Sequence, residues 1–161
     1  MTVTQEKTKI GGILETQNVS MFSILSAPNQ PGIAGRVLGF LGDHNVSVEF
    51  ITESNNLEDT ADIAFCYRRQ FEQKVNEIAS DLIASVGARS SRKSRDIAII
   101  GVYGPHFKEK PQIAGRFCSA LGQAHINILG ISSSISSVSC IIKAGDLDKA
   151  REAVLAVFAL P

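Results

Sequence analysis

The chain has 161 residues with 16 basic and 16 acidic side chains, so its formal net charge is zero and no overall field attracts nucleic acid or anionic lipid. No apolar run approaches the length of a membrane span, and the polar start of the chain is unlike a signal peptide. Three widely spaced cysteines suit reduced thiols better than a disulfide framework. We therefore expect a cytoplasmic protein that binds neither membranes nor nucleic acid.

The first predicted elements lead into a segment that the chain repeats. A short apolar leader, Lys9–Glu15, is followed by a predicted strand at Val19–Leu25 and then by a turn that ends at Pro31. Asn29–Ser54 returns within Lys108–Ser134, at a constant offset of 111 − 31 = 80 residues. An internal repeat of this kind indicates two similar domains, each near the lower size limit for burying a sufficient core alone.

Each copy of the repeat predicts a helix followed by a strand. Apolar residues at the i, i+4, i+7 and i+8 positions indicate one buried helix face in each copy, formed by Ile33, Val37, Phe40 and Leu41 and by Ile113, Phe117, Ala120 and Leu121. The β-rich runs Val46–Glu53 and Ile126–Ser133 then predict a strand in each copy.

The rest of the first copy adds a strand and a second helix. Ala61–Tyr67 predicts a strand, and the apolar spacing of Phe71–Leu82 predicts a helix that Gly87 stops. The polar stretch Ala88–Ser94 suits either a fourth strand or a linker.

The second copy follows the same order. We predict strands at Ile97–Val102 and Val138–Lys143, and a closing helix whose buried face is formed by Leu147, Ala150, Val154, Val157 and Phe158. The sequence has no fourth strand after this helix, so a position in the second sheet is left empty. We expect the leader at 9–16 to cross over and fill it.

A βαββαβ order with a Pro-Gly turn before the first helix resembles the ACT domain, a small-molecule sensor of amino-acid metabolism. Pro28–Ala34, His125–Ser134 and Ala153–Leu160 carry the resemblance. The likeness is closest to the tandem pair in the regulatory region of aspartokinases, and it covers essentially residues 9–161 without the kinase domain. It implies an α+β fold of two ferredoxin-like ACT domains, 18–95 and 96–161, with antiparallel sheets and helices on one face.

The resemblance implies an effector site at the Pro-Gly turn. A helix start presents unpaired N–H groups and a partial positive charge, which suit a carboxylate, and Gly32 lets a ligand approach the backbone closely. The implied ligand is a free amino acid such as lysine or threonine, bound between domains of a homodimer. The predicted contacts are Asn29, Gln30, Pro31, Gly32, Ile33, Ala34 and Glu53, with Asn127 and Ile128 from a facing second repeat.

Two residues of this site depart from the family pattern. The family commonly has Asp at Asn29 and Gln at Glu53, so we suggest that Glu53 anchors the ligand's ammonium group. In the second copy, Gln112 replaces the glycine, and we expect a weak or empty pocket there. The simpler interpretations are that Glu53 is a solvated strand residue, that Asn127 only ends a turn, and that the Pro-Gly pair only begins a helix.

The remaining chemistry-bearing residues indicate structural roles. His44, His106 and His125 lack partners at metal-ligand spacing, and we expect no metal, no cofactor and no catalytic residue. The cysteines suit core positions. The basic run Arg89–Arg95 suits either a phosphate backbone or a solvated segment, and the second is favoured because no aromatic residue interleaves with it. The leading interpretation is an amino-acid sensor that controls a biosynthetic enzyme. A ligand-free assembly module and a subunit or fragment of an aspartate kinase are the alternatives.

Overall fold

The structure is a computed structural model that describes residues 6–105 and 107–161. The interpretation of His106 lies outside these residues. The elements in chain order are β1 (Thr8–Lys9), β2 (Gly12–Pro28), α1 (Ile33–Asp43), β3 (Phe50–Asn55), β4 (Thr60–Arg68), α2 (Glu72–Val86), β5 (Ser90–Tyr103), α3 (Gln112–Gln123), β6 (Gly130–Ser133), β7 (Ser137–Lys143), α4 (Leu147–Val157) and β8 (Phe158–Ala159).

The chain folds into two compact units. The repeat-one unit is Asn18–Asp96, and the repeat-two unit contains the described residues up to Gln17 together with Ile97–Pro161. The strands β2 and β5 run without interruption from one unit into the other, so each contributes residues to both sheets. We propose that these units correspond to the two domains inferred from the sequence, whose limits were 18–95 and 96–161.

The repeat-one unit is a four-stranded sheet covered on one face by α1 and α2. The strand order is β3-β4-β2-β5, and β4 is antiparallel to both β2 and β3. Alternate residues of β2 and β4 point to the helices because side chains of a strand alternate between its faces. The buried cluster comprises Phe22, Ile24, Ala27, Ile33, Val37, Leu41, Val46, Ile63, Phe65, Tyr67, Val75, Ile78, Leu82 and Val86.

The repeat-two unit repeats this plan with a strand borrowed from the leader. Its strand order is β2-β5-β7-β6, and β7 is antiparallel to both β5 and β6. The amide of Gly11 donates to the carbonyl oxygen of Tyr103 (2.7 Å), and β1 pairs in parallel with β8. The four predicted face residues of α3 are all buried. Three of them, Ile113, Phe117 and Leu121, join Ile100, Val138, Cys140, Ala150 and Val154 in the core.

The strand after each first helix begins later than predicted. Val46–Glu49 and Ile126–Leu129 were included in the predicted strands, whereas β3 begins at Phe50 and β6 at Gly130. Asn45 adopts a φ of 56°, which ends α1, and the amide of Val46 then bonds the carbonyl oxygen of Leu41 (2.9 Å). Val46 is buried in the core although it belongs to no strand. The alternation of apolar and polar residues from Val46 onwards therefore resembles the pattern of a strand.

Two other predicted elements also change. The closing helix ends at Val157, and Phe158 begins β8 with a φ of −118° because the chain turns to pair with β1. The segment Ala88–Ser94 is largely strand, since β5 begins at Ser90, and the linker alternative is wrong. The α2 prediction is confirmed, and Gly87 ends that helix with a φ of 67°.

Candidate functional site

A cavity of about 610 Å³ opens at the start of α1 in the repeat-one unit. It is lined by Asn29, Gln30, Pro31, Gly32, Ile33, Ala34, Gly35 and Glu53. The structure therefore brings together all seven site residues predicted from the first repeat, and it adds Gly35. Ile33 is buried and anchors the helix, while the residues before it are exposed.

Local backbone geometry shapes the turn that carries this cavity. The ladder between β2 and β4 shifts register between Ile24 and Ala27, and the amide of Ser26 donates to the carboxylate of Asp62 (2.8 Å). This bulge bends β2 just before the turn. Gly32 then adopts φ 92° and ψ −2°, a left-handed conformation that side chains with a Cβ rarely adopt.

The N-terminus of α1 is open to an anion. The amide of Arg36 bonds the carbonyl oxygen of Gly32 (3.0 Å), and the helix has no side-chain cap among the described residues. The amides of Ala34 and Gly35 lie in the first turn, where the helix itself offers no acceptor. Their N–H groups and the positive end of the helix dipole favour a carboxylate in the cavity.

Two polar side chains flank this N-terminus. Asn29 Nδ2 donates to Asp59 Oδ1 across 2.8 Å, although the residues are 30 positions apart in the chain. Glu53 lies on β3, opposite Ile63 of β4, and its exposed carboxylate pairs with no described residue. The cavity thus combines hydrogen-bond donors at the helix with an unpaired acceptor on the strand.

The equivalent turn of the repeat-two unit lines more than one cavity, and their chemistry differs from that of the first. One cavity of about 450 Å³ is lined by Glu6, Lys7, Thr8, Glu109, Lys110, Pro111, Gln112, Ile113 and Arg116. Another cavity, of about 180 Å³, is lined by Phe107, Lys110, Pro111, Ile113, Ala114, Ser133, Ser134, Ser137 and Val138. Ser133 occupies the position that Glu53 has in the first repeat, so this cavity lacks the strand carboxylate. Phe107 comes from the longer loop of the second copy and adds an aromatic side chain to the lining of this cavity.

Asn127 and Ile128 lie in the loop between α3 and β6 of the repeat-two unit. Asn127 is exposed, and Ile128 is half-buried against that unit's core. Their predicted contact with a ligand in the first repeat stays a prediction.

Outside the cavity, the main charged cluster surrounds Glu72. Tyr67 is buried and its hydroxyl donates to Glu72 Oε2 (3.1 Å), while Lys93 and Arg95 pair with the other oxygen. Burial opposes ionisation of Glu72, but surrounding hydrogen bonds and these two cations together hold its pKa below the usual value. The basic run thus uses two of its charges to hold α2 against β5.

The packing around His44 and the cysteines is consistent with a role in the stability of the fold. His44 Nδ1 donates to the carbonyl oxygen of Phe40 (2.8 Å), and its ring stacks on that side chain. Burial raises the pKa of the Cys66 and Cys140 thiols to about 12, and all three cysteines are free. Residues 6–105 and 107–161 contain no group of three or more His, Cys, Asp or Glu side chains placed to hold a metal ion.

Models of known protein families match both halves of the chain. One ACT domain family covers residues 20–85, and another family described as an ACT domain covers residues 100–158. The chain belongs to the ACT domain family. Its two ACT domains are arranged in tandem, which confirms the resemblance and the fold class inferred from the repeat.

The tandem ACT domains are similar to part of several aspartokinases. They are 30% identical over 155 residues to an aspartokinase of Pseudomonas aeruginosa, an alignment that covers 96% of this chain and 38% of that protein. They are 32% identical over 167 residues to a bifunctional aspartokinase/homoserine dehydrogenase of Haemophilus influenzae, covering 96% of this chain and 19% of that protein. The chain therefore spans well under half the length of these relatives.

Solved structures with the same fold include parts of aspartate kinases. The regulatory subunit of aspartate kinase from Thermus flavus superposes with a TM-score of 0.84 at 24% identity, covering 94% of this chain and 100% of that chain. A structure of aspartokinase alpha and beta subunits gives a TM-score of 0.81 at 26% identity, covering 90% and 95%. The fold of this chain is thus the fold of a solved regulatory subunit of aspartate kinase.

Among residues 6–105 and 107–161, none of the helices has the length and hydrophobicity that a membrane-spanning helix requires.

Proposed function

We propose that these tandem ACT domains bind a free amino acid in the cavity at the start of α1 and thereby regulate an amino-acid biosynthetic enzyme. The observation that carries the proposal is the cavity itself, which joins the uncapped N-terminus of α1 to the unpaired carboxylate of Glu53. A zwitterion fits this arrangement, because its carboxylate meets N–H donors and its ammonium meets acceptors.

The regulated enzyme is proposed to be an aspartate kinase or a close relative, with this chain acting as a non-catalytic regulatory part. The similarity to a regulatory subunit of aspartate kinase supports this assignment. Lysine and threonine are the first ligands to test, with Asn127 and Ile128 of a partner chain closing the cavity in a homodimer. Coupling between ligand and enzyme should be about 1–3 kcal/mol and reciprocal.

A thermal-shift screen against the twenty amino acids tests ligand binding directly. Ligand at about 100 times its dissociation constant adds about 2.7 kcal/mol of stability, which gives a clear rise in melting temperature. An amino acid has few heavy atoms, so we expect a dissociation constant in the micromolar to millimolar range. Unchanged melting with every amino acid would refute the proposal.

The substitution Glu53→Gln tests the ammonium contact. A hydrogen bond to a charged group is worth about 1.5–3 kcal/mol once the ligand covers it, so we expect at least a tenfold loss of affinity by calorimetry. Glu152→Gln is the matched control, since Glu152 is exposed on α4 in the repeat-two unit. Equal affinities for both variants and the wild type would remove Glu53 from the site.

A second candidate function is assembly without a ligand. The segment around β6 exposes apolar side chains, with Leu129 at 38%, Ile131 at 48% and Ile135 at 79% exposure. Such a surface suits contact with another protein chain. A stable dimer that responds to no amino acid would favour this function over the sensor.

A further inference from the structure

Asp59 is a residue that the sequence did not single out, yet it bonds a side chain that lines the candidate cavity. It lies in the turn between β3 and β4 and adopts a φ of 56°. Its carboxylate accepts a hydrogen bond from Asn29 Nδ2 at 2.8 Å, whereas Asp59 itself does not line the cavity. Any effect of Asp59 on the cavity therefore passes through its hydrogen bond to the side-chain amide of Asn29.

The chemistry of this pair fixes which way the Asn29 amide points. A carboxylate is only an acceptor, so the group facing Asp59 must be the NH₂ of the amide. The oxygen of that amide accepts no hydrogen bond within the described residues, and Asn29 lines the cavity. One N–H of the Asn29 amide is thus engaged by Asp59, and its oxygen remains available as an acceptor beside the cavity.

We propose that Asp59 is a positioning residue that makes Asn29 a receptor for the α-ammonium group of the ligand. This inference rests on the proposed amino-acid binding, and it identifies the part of the ligand that the turn recognises. Glu53 supplies a second acceptor from the strand, so an ammonium with three donors meets two acceptors from separate elements. The carboxylate that positions Asn29 is thus supplied by Asp59, in the hairpin between β3 and β4.

Exchanging the side chains of residues 29 and 59 tests this proposal. The single substitution Asp59→Asn removes the charge and lets the Asn29 amide turn over. The double substitution Asn29→Asp with Asp59→Asn keeps one hydrogen bond between the positions and moves the carboxylate into the turn. Asparagine tolerates a positive φ, so residue 59 should keep its backbone conformation.

The test measures binding of paired probes by calorimetry. One pair is L-lysine and 6-aminohexanoate, and the other is L-threonine and 3-hydroxybutyrate; the second member of each pair lacks the α-amino group. We expect Asp59→Asn to weaken binding of the amino acid about tenfold. The Asn29 oxygen is then no longer held in position, so its hydrogen bond with the charged ammonium group of the ligand is lost. The deamino probe should bind both proteins equally weakly, and the double variant should return to within about threefold of the wild type.

The control is Glu58→Gln, which removes a carboxylate from the same hairpin. Glu58 pairs with Arg89 at the surface, and such an exposed pair contributes little. We expect its affinity for the amino acid to match the wild type. Equal affinity of Asp59→Asn and the wild type, or equal loss for the deamino probe, overturns the role of Asp59 while the binding function stands. Failure of the wild type to bind any of the twenty amino acids overturns both.

Discussion

The conformation of Gly32 gives the sharpest prediction about the structure of the cavity. Gly32 has a φ of 92°, and a Cβ added to it would meet no atom within 4 Å. The cost of Gly32→Ala is therefore backbone strain with no steric clash, about 1–2 kcal/mol for a left-handed residue. Alanine also restricts the unfolded chain, which returns about 0.4–1 kcal/mol. We expect a net loss of about 1 kcal/mol in the free energy of unfolding.

Two further substitutions separate strain from other effects. Gly32→Asn should stay within about 0.5 kcal/mol of the wild type, because asparagine enters the left-handed region more readily. Gly35 also has open space around it but lies inside α1, so Gly35→Ala should raise stability by about 0.8–1 kcal/mol. From the most to the least stable, the three variants should thus rank in the order Gly35→Ala, Gly32→Asn, Gly32→Ala.

Urea denaturation followed by circular dichroism measures these differences, and hydrogen exchange of the α1 amides assigns them to the repeat-one unit. Exchange is needed because two units need not unfold together. A Gly32→Ala protein as stable as the wild type would show that the left-handed conformation is not required, and the reasoning about the turn would then be wrong.

The remaining predictions concern packing and pH. Gly101→Ala should destabilise the protein by about 1–3 kcal/mol in urea denaturation, since its Cβ would clash with Ser139 Oγ and lie 2.7 Å from the carbonyl oxygen of Val138; an unchanged midpoint would contradict the tight β5–β7 contact. Tyr67→Phe should cost about 1.5–3 kcal/mol at pH 7, because it removes a hydrogen bond to the ionised carboxylate of Glu72. The pKa of Glu72 is lowered in the folded state, so its contribution is present above the ordinary carboxyl pKa and is lost as the pH falls through the lowered value. The stability difference between Tyr67→Phe and the wild type should therefore shrink in denaturation curves at pH 3, and a constant difference would count against the hydrogen bond from Tyr67 to the ionised Glu72 carboxylate.

Local signals predicted the parts of the candidate site that one short segment determines. Helical spacing from Ile33 to Leu41 marked α1, and the Pro-Gly pair marked its start, because a glycine is needed where φ is positive. The same spacing predicted the buried face of α3 without error. The run at Val46 was misread, since an extended segment that turns into a core shows strand-like alternation without forming a ladder.

The pairing of Asn29 with Asp59 had no signal in the sequence. Thirty residues separate them, and their contact depends on the register of β3 against β4 and on the bulge in β2. Gln112 predicted a weak or empty pocket in the second repeat, and this stays a prediction. The structure places Gln112 in the lining of a cavity of about 450 Å³, and Phe107 and Ser133 in the lining of a smaller one of about 180 Å³. The longer loop was visible in the sequence, whereas the direction of its phenylalanine ring was not.

The sequence by itself determined that this protein contains two copies of one βαββα plan, because periodic burial and turn residues act within a few positions of the chain. Only the tertiary structure decided that β2 and β5 run through both units and that a distant carboxylate bonds the amide at the turn. The physical reason is that strand register and side-chain contacts across a hairpin depend on how separate segments pack, and no local propensity encodes that packing.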